Sequence, residues 1–504
     1  MAGTTNGFAA AAPGGDDGRF ATGKLALGSW MLFEWSAQPF YSLITTFLFA
    51  PYFANGFIGD PVRGQQIWAY TAAFAGLAVA ICSPVLGAFA DSSGRRKPWI
   101  IIASLFFIAG MSSLWIAEPG RPELLYLVLI AYAVAAVAAE LNAVFVNAMM
   151  PGLVPASQYG RTSGMSAAIG YLGGLASLVV VAGLLVADTS TGRTLFGLAP
   201  MLDFDAASRQ GDRFIGPFCA IWFLIFVLPL LLFTPDRRAP GASSAGGMTA
   251  LRQTLTELPQ HGNVLKFLIA RMLFVDGLGA VFAFGGIYGA AQFGWQAFEL
   301  GLFGIILIVT AMIGAAVGGW LDDKIGARRV ILAALVIALI ATLGVLSVDK
   351  THVLFMQAVA AKEAGTGFLA SIGERVFVLF AGFVGLVAGP LNASSRSFMA
   401  HISPPERITQ FFGLFAFSGK ATSFIAPLLV GGLTAATGNQ RYGVAVVLVF
   451  LTAGLLLMLR VQGDAVRGES VVAVEPAPAV ERDWLGGSIV TILLIASLWV
   501  IATT

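Results

Sequence analysis

The chain has 504 residues, of which 57% are hydrophobic and only 11% are charged. An ordinary soluble domain carries roughly 25% charged residues, so this composition excludes a soluble globular protein and indicates a helical membrane protein with many spans. The formal net charge of +2 gives no sign of a highly charged partner such as a nucleic acid.

Residues 1–24 are small and polar, and they lack the basic-then-apolar layout of a cleaved signal. We expect them to form a disordered cytoplasmic tail. Beyond them, stretches of about 20 apolar residues recur, which is the helical length that crosses a bilayer. They predict twelve spanning helices at 25–53, 67–90, 99–117, 123–149, 163–187, 213–233, 264–292, 299–320, 330–348, 374–399, 410–436 and 442–460.

A segment rich in Pro, Gly and Ser, 234–263, separates the first six spans from the last six. We interpret it as a flexible cytoplasmic linker between two domains, 25–233 and 264–460. A polar linker at 461–484 then precedes another uncharged apolar run, 485–504, which is long enough to span the membrane. This run predicts a thirteenth transmembrane helix, and the alternative is a segment lying on the surface of the bundle.

One hydrophilic tract occurs twice between apolar runs, at Gly87–Lys97 and at Gly319–Arg329. Each copy has a glycine, an aspartate four residues later, a second glycine three residues further on, and then a basic cluster. Such repetition indicates two similar membrane halves, which is the ground plan of many secondary transporters. The excess of Lys and Arg in these loops predicts that both tracts and the N-terminus lie in the cytoplasm.

Several short segments carry a family resemblance, among them Phe33–Ala37, Asp276–Gly277, Ser395–Ser397, Pro404–Arg407 and Ser418–Lys420. With the twelve spans, they resemble the major facilitator superfamily, and within it the unknown major facilitator family, which includes the autophagy-related vacuolar amino-acid effluxers of fungi. The resemblance covers residues 25–460. It implies the major facilitator fold, two pseudo-symmetric six-helix bundles in an all-α polytopic membrane protein. Glu34 stands where relatives usually have Asp, and the run after residue 484 lies beyond their usual twelve spans.

The resemblance also implies a role for the repeated tracts, because in this superfamily they brace the cytoplasmic gate in the outward-facing state. The alternative is that their basic residues only anchor the loops on the inner side. The repeated Asp and Gly spacing favours gating, since anchoring does not need it. The expected gating residues are Gly87, Asp91, Gly94, Arg95, Gly319, Asp323, Gly326 and Arg328.

A polar stripe runs along the first predicted helix. Glu34, Gln38 and Tyr41, followed by Thr45, are spaced by four, three and four residues, so they share one helical face. The stripe predicts either the lining of a transport pathway or a hydrogen-bonded contact with another helix. We favour the pathway, because the first helix of each half borders the cavity in the superfamily that the chain resembles.

Further ionisable and amide side chains are predicted at membrane depth, where charges are costly and usually face a cavity or one another. The acids are Glu34, Glu140 and Asp276, the bases are Arg271, Arg396 and Lys420, and Asn392 lies one turn before Arg396. They either neutralise one another or form a mixed-sign lining suited to a zwitterion such as an amino acid. Burial disfavours the charged form of a carboxylate, so Glu34, then Asp276, then Glu140 are candidate proton carriers.

Arg271 and Asp276 are five residues apart, about 140° around a helix, and are not expected to pair with each other. An enzyme is not indicated. His261, His352 and His401 are far apart in sequence, and two cysteines in separate spans form no metal pattern. No phosphate-binding loop points to ATP, and no cofactor is expected.

These observations predict a secondary active transporter of a small solute, coupled to protons and working by alternating access at a midplane site. The resemblance favours amino-acid efflux from the cytoplasm. The alternatives are an exporter of amphiphilic or drug-like compounds and a non-transporting membrane sensor with the same fold. We expect a monomer in the cell (inner) membrane if the source is bacterial.

Overall fold

The computed structural model describes residues 22–187, 192–236, 247–259, 261–295, 297–363 and 367–462. Regular structure in the first half of this described chain is helical. The helices of this half are α1 (Lys24–Pro39), α2 (Phe49–Tyr52), α3 (Pro61–Ser93), α4 (Lys97–Ser113), α5 (Leu125–Asn147), α6 (Tyr159–Val180) and α7 (Gln210–Phe233).

Within the described residues, the second half contains eight α-helices and, between α11 and α12, one small antiparallel hairpin. The helices are α8 (Gly247–Glu257), α9 (Gly262–Phe293), α10 (Ala297–Ile325), α11 (Ala327–Leu346), α12 (Ile372–Ile402), α13 (Ile408–Ser418), α14 (Ile425–Thr437) and α15 (Gln440–Leu459). The hairpin pairs β1 (His352–Val353) with β2 (Gln357–Ala358).

Ten helices within the described ranges are long and apolar enough to cross a membrane by length and composition. They coincide with ten of the twelve predicted spans. The remaining two predicted spans, 25–53 and 410–436, are helical but interrupted, so the prediction of one continuous helix at each of these places is wrong. The described residues otherwise confirm an all-α membrane fold.

The first interruption follows Pro39, which ends α1 and is succeeded by wider π-helical turns at Phe40–Phe47. Proline has no backbone N–H, so it cannot donate to the carbonyl of Trp35 four residues earlier. The indole N–H of Trp222 on α7 donates to that carbonyl instead, at 3.0 Å. A neighbouring helix therefore satisfies the freed carbonyl, as a lipid environment requires.

The second interruption separates α13 from α14 and comprises residues 419–424, which form turns rather than helix. Lys420 lies inside it. Discontinuous helices in the membrane are tolerated where their backbone is buried in protein or lines a cavity, and in transporters they often mark a binding site. Both interruptions therefore indicate a binding site in the region between the two halves of the chain.

The predicted linker 234–263 contains a helix rather than only flexible chain. Helix α8 lies against α3 near Phe89, so part of this segment is ordered on the bundle. The predicted tail before residue 22 and the predicted thirteenth helix at 485–504 lie outside the described residues, as does almost all of the predicted polar linker 461–484.

The two repeated tracts lie at the same end of the helix bundle, which we call the tract end. The first comprises the end of α3 and the turn into α4 and contacts the start of α13, and the second comprises the end of α10 and the turn into α11. Helix α12 connects the two places, because His401 near its end lies beside Asp323 and its following loop leads to α13. This common placement is what a chain built from two related halves requires.

We predict that both tracts are cytoplasmic. After Cys82 and Cys219 are replaced, single cysteines at the exposed positions Arg95 and Lys324 should react with an impermeant reagent only from the cytoplasmic side. A cysteine at exposed Glu123, before α5 and at the opposite end, is the control and should react only from the other side. Labelling of the two tracts from opposite sides would contradict the two-repeat organisation.

Candidate functional site

The first tract joins the two halves through a carboxylate placed at a helix N-terminus. Buried Asp91 accepts hydrogen bonds from the backbone N–H groups of Thr409 at 3.1 Å and Gln410 at 2.8 Å. These are among the first N–H groups of α13, which have no partner inside their own helix. The helix dipole also favours negative charge there, so Asp91 ties α3 to a helix of the other half.

An arginine completes this contact, but it is not the predicted Arg95. Arg96 is buried, its guanidinium lies 3.7 Å from Asp91, and its Nε donates to the Thr409 hydroxyl at 3.1 Å. Arg95 is exposed. The sequence showed adjacent basic residues but not which of them turns inward, because that depends on the turn after α3.

The second tract repeats the arrangement with the halves exchanged. Asp323, at the end of α10, accepts hydrogen bonds from the backbone N–H groups of Gly160 and Arg161 at the start of α6. The Arg161 Nε lies 3.7 Å from the same carboxylate. Each tract aspartate thus caps a helix that belongs to the opposite half, and the sequence spacing alone did not identify either capped helix.

Glycines permit the close approach that these contacts need. A Cβ added to Gly319 would lie 2.5 Å from the Gly160 carbonyl oxygen, and one added to Gly87 would lie 2.7 Å from the Thr409 oxygen. The second glycine of each tract serves a different purpose. Gly94 and Gly326 have φ of +70° and +89°, a region that side-chain-bearing residues rarely adopt, and they turn the chain into the next helix.

Arg328, the last predicted gating residue, contacts neither aspartate of the tracts. Its guanidinium donates to the carbonyls of Val461 at 2.6 Å and Leu459 at 2.9 Å. Carbonyls at the end of α15 lack partners within the helix, and a cation is favoured there. Arg328 therefore holds the C-terminus of α15, which is an interaction within one half.

Helix α8 adds a polar contact beside the first tract. Thr254 donates to the Gln410 side chain at 2.9 Å, and Arg407 donates to Thr254 at 3.1 Å and to Glu257 at 2.8 Å. Hydrogen bonds from Gln253 and Arg407 lower the pKa of the Glu257 carboxyl, which keeps it ionised. The sequence analysis did not anticipate this contact, although the capping of α13 by Asp91 lies directly beside it.

Deeper in the molecule, Glu34 of α1 forms an ion pair with Arg396 of α12. Arg396 is almost fully buried, and its Nε and Nη2 also donate to the hydroxyl and the carbonyl of Ser163 at 2.7 and 2.8 Å. Asn147 accepts from Nη1 at 3.1 Å. The pair joins the two halves, and the arginine keeps three further hydrogen bonds that do not depend on Glu34.

A second ion pair also crosses between the halves. Lys420, in the interruption of the eleventh span, lies 2.9 Å from Glu140 of α5. The Tyr41 hydroxyl donates to the same carboxylate oxygen at 3.3 Å. The side chains of Lys420 and Glu140 are 35% and 18% exposed, so this pair is only partly covered by protein. The interruptions of the first and eleventh spans thus meet at one carboxylate.

The remaining residues of the predicted pathway lie around these pairs. Gln38 packs against Gly174 of α6. Asn392 is exposed although it lies in the middle of α12, and it is beside Tyr171 of α6. The helix-1 stripe therefore contacts other helices through Glu34 and Tyr41, while exposed Asn392 contacts Tyr171 of the other half.

Arg271 and Asp276 do not form an ion pair with each other, in agreement with their angular separation on α9. Buried Arg271 donates to the Phe415 carbonyl at 2.7 Å and to the Ser418 hydroxyl at 2.8 Å, and it lies 3.5 Å from the centre of the Phe415 ring. Neither oxygen of buried Asp276 makes a close hydrogen bond within the described residues, but the Thr422 hydroxyl lies beside it and the charge of Arg271 attracts it.

Pairing of acids with bases was one of the two alternatives that the sequence left open, and it applies to Glu34 and Glu140. The sequence did not indicate that Arg396 is the partner of Glu34, because only neighbours on its own helix could be read from the sequence. Ser163 was missed as well. Its single hydroxyl gives no sequence signal, and its role follows from the close packing of α6 with α10 and α12.

A family model described as "Vacuole effluxer Atg22 like" matches residues 56–162 and 155–470. An uncharacterised transporter of the major facilitator type from Bacillus subtilis, YxiO, is 23% identical over 85% of this chain and 93% of its own length. Autophagy-related protein 22 of Cryptococcus neoformans is 28% identical over 62% of this chain and 54% of its own length.

Solved structures of major facilitator transporters share the fold. FucP in the outward conformation superposes with a TM-score of 0.65 at 14% identity, covering 87% of this chain and 99% of that one. A bacterial homologue of the iron transporter ferroportin, in an outward-facing state, gives 0.59 at 14% identity over 86% and 98% of the two chains. The chain therefore belongs to the Atg22-like vacuole effluxer family, and it is a multi-pass membrane transporter of the major facilitator superfamily.

Proposed function

We propose that this transporter exports amino acids from the cytoplasm by alternating access, with proton coupling through Glu34. The observation that carries the proposal is the presence of two ion pairs between the halves, Glu34 with Arg396 and Glu140 with Lys420. Both must break when the halves separate at the tract end. A zwitterion offers one positive and one negative group, so it can replace the lost partners of both signs.

The contacts at the tract end support a gating role for the repeated tracts. Asp91 and Asp323 each cap a helix of the opposite half, and both contacts must be lost before this end can open. Hydrogen bonds to charged groups contribute about 1.5–3 kcal/mol each. The described conformation is therefore closed at the tract end.

The unequal exposure of Glu34 and Arg396, the ion pair that lies deeper in the molecule, supports proton coupling. Glu34 is 23% exposed, whereas Arg396 is 5% exposed and keeps Ser163 and Asn147 as partners. Removing one member of a buried pair is costly mainly when the other charge is left uncompensated. A proton on Glu34 would remove the charge–charge attraction across the boundary, while Ser163 and Asn147, which belong to the same half as Glu34, would keep their hydrogen bonds to Arg396. Protonation would therefore weaken the contact between the halves and make their separation less costly.

Four charged side chains near the interrupted helices disfavour an exporter of amphiphilic compounds, since such solutes would leave these charges without partners. A non-transporting sensor has no need for two ion pairs that break together. Counterflow in proteoliposomes with a panel of labelled solutes should show exchange for amino acids and none for amphiphilic cations. Exchange of amphiphiles alone, or of no solute, would overturn the proposed substrate class.

We predict that Glu34→Gln uncouples transport from protons, because it mimics the protonated acid and removes the cross-half pair. Counterflow should persist, while accumulation driven by a pH gradient should fall at least about tenfold. Glu34→Asp is the matched control and should retain pH-driven accumulation, since it keeps the carboxylate. If Glu34→Gln accumulates substrate normally, the proton is carried elsewhere, with Asp276 the next candidate.

We also predict that Asp91→Ala and Asp323→Ala slow transport without abolishing substrate binding. Each substitution removes two hydrogen bonds that close the tract end, and about 1.4 kcal/mol already changes a conformational equilibrium tenfold. Transport rates and substrate-dependent thermal stabilisation should be measured on the same preparations. Glu406→Ala, at an exposed position of the same end, is the control and should have no effect. If substrate binding is lost while the conformational equilibrium is unchanged, the aspartates belong to the substrate site instead.

A further inference from the structure

A loop with exposed apolar side chains follows α6 at the end of the bundle opposite the tract end. We call residues 194–202 the apolar loop, because none of them is charged. Its exposed large side chains are those of Leu195 (62% exposed), Phe196, Leu198, Met201 (71% exposed) and Leu202. Such a concentration of exposed apolar groups marks a surface that interacts with a membrane or with another protein.

The apolar loop is hydrogen-bonded to the span that precedes it. The π-helical segment Val181–Leu185 continues α6, and the last carbonyls of a helix have no partner within that helix. The backbone N–H of Leu195 donates to the Ala182 carbonyl at 2.9 Å, and that of Met201 donates to the Leu184 carbonyl, also at 2.9 Å. The loop therefore folds back beside the end of its own span.

This position is level with the apolar end of the span. Residues 178–187 contain no polar side chain, so the apolar run continues past both accepting carbonyls. The span Ala156–Leu185 has 30 residues and is about 45 Å long, enough to cross the hydrocarbon core and reach the headgroups on each side. Phe196 packs against Gly183 near its end. The loop therefore lies at the boundary between hydrocarbon and headgroups.

Hydrogen bonds within the loop suit an environment that contains little water. The Gly197 N–H donates to the Thr194 carbonyl at 2.8 Å, and the Thr194 N–H donates to the Leu198 carbonyl at 2.9 Å. The Arg193 guanidinium donates to the Gly197 carbonyl at 2.8 Å. Backbone polar groups that meet lipid must be paired inside the protein, and this turn pairs several of its own while its apolar side chains face outward.

We propose that the apolar loop inserts its exposed side chains into the membrane interface, so that its partner is phospholipid. A loop level with the end of a span meets lipid, whereas a partner in the aqueous phase would bind further from the membrane. Exposed Arg193 on one side and exposed Asp203 and Asp205 on the other give no excess of basic charge that would select anionic headgroups. Insertion therefore depends on the apolar area that is removed from water.

The experiment uses the purified full-length protein without any substrate, so its result is independent of the proposed transport function. After Cys82 and Cys219 are replaced, Met201→Cys is labelled with the fluorophore NBD, with one protein molecule in each lipid nanodisc. Ala206→Cys, at an exposed position after the loop, is the control. We expect iodide to quench the label at position 201 at least threefold less than at 206, and spin-labelled phospholipids to quench it more.

Equal quenching by iodide at the two positions would overturn the proposal, because the loop would then lie in water. Protection from iodide without quenching by spin-labelled phospholipids would also overturn it, since protein rather than lipid would then cover the loop. Quenching should be the same in nanodiscs of phosphatidylcholine and of phosphatidylglycerol. Protection that requires the anionic lipid would show headgroup binding instead of apolar insertion.

Variants test whether apolar area holds the loop in place. With the label at Leu195→Cys, a second substitution Met201→Asp should raise quenching by iodide at least threefold, because a charge at the interface favours water. Met201→Leu is the matched control and should leave the quenching unchanged. Unchanged quenching in Met201→Asp would contradict insertion, and if that variant does not fold, the labels at positions 201 and 206 still decide the question.

Discussion

A charge at membrane depth must be compensated, and this constraint accounts for how the two halves of the transporter meet. Glu34 forms an ion pair with Arg396, and Glu140 forms one with Lys420, each across the boundary between the halves. Had each acid been paired within its own half, opening and closing would not change its environment. Placing the partners on opposite sides makes the energy of the charges depend on the conformation of the transporter.

At the tract end, the unpaired N–H groups of helix termini are likewise satisfied by side chains of the opposite half. An aspartate caps α13 from the N-terminal half, and another caps α6 from the C-terminal half, so the two contacts are related by exchange of the halves. Each contact satisfies backbone N–H groups that their own helices leave unpaired. When the tract end opens, water can form hydrogen bonds with these N–H groups. The closed and open states of this end therefore differ only modestly in free energy.

The fold was largely predictable from the sequence because span length and the repeated tracts depend on local composition. The partners of the site residues were not predictable, because they come from distant helices. Arg95 and Arg96 are adjacent and chemically alike, and only the turn around Gly94 decides that Arg96 is buried. The pairing of Glu34 with Arg396, 362 positions along the chain, depends on the approach of α1 and α12.

The interruptions of the first and eleventh spans explain why the charged residues of the candidate site lie in one region. Pro39 forces one break, and the freed Trp35 carbonyl is satisfied by Trp222 within the same half, so the first break is structurally complete. The second break places Lys420 where it pairs with Glu140 of the other half, so its charge is compensated across the boundary. The first break is therefore complete within its own half, whereas the compensation of the second depends on how the two halves meet.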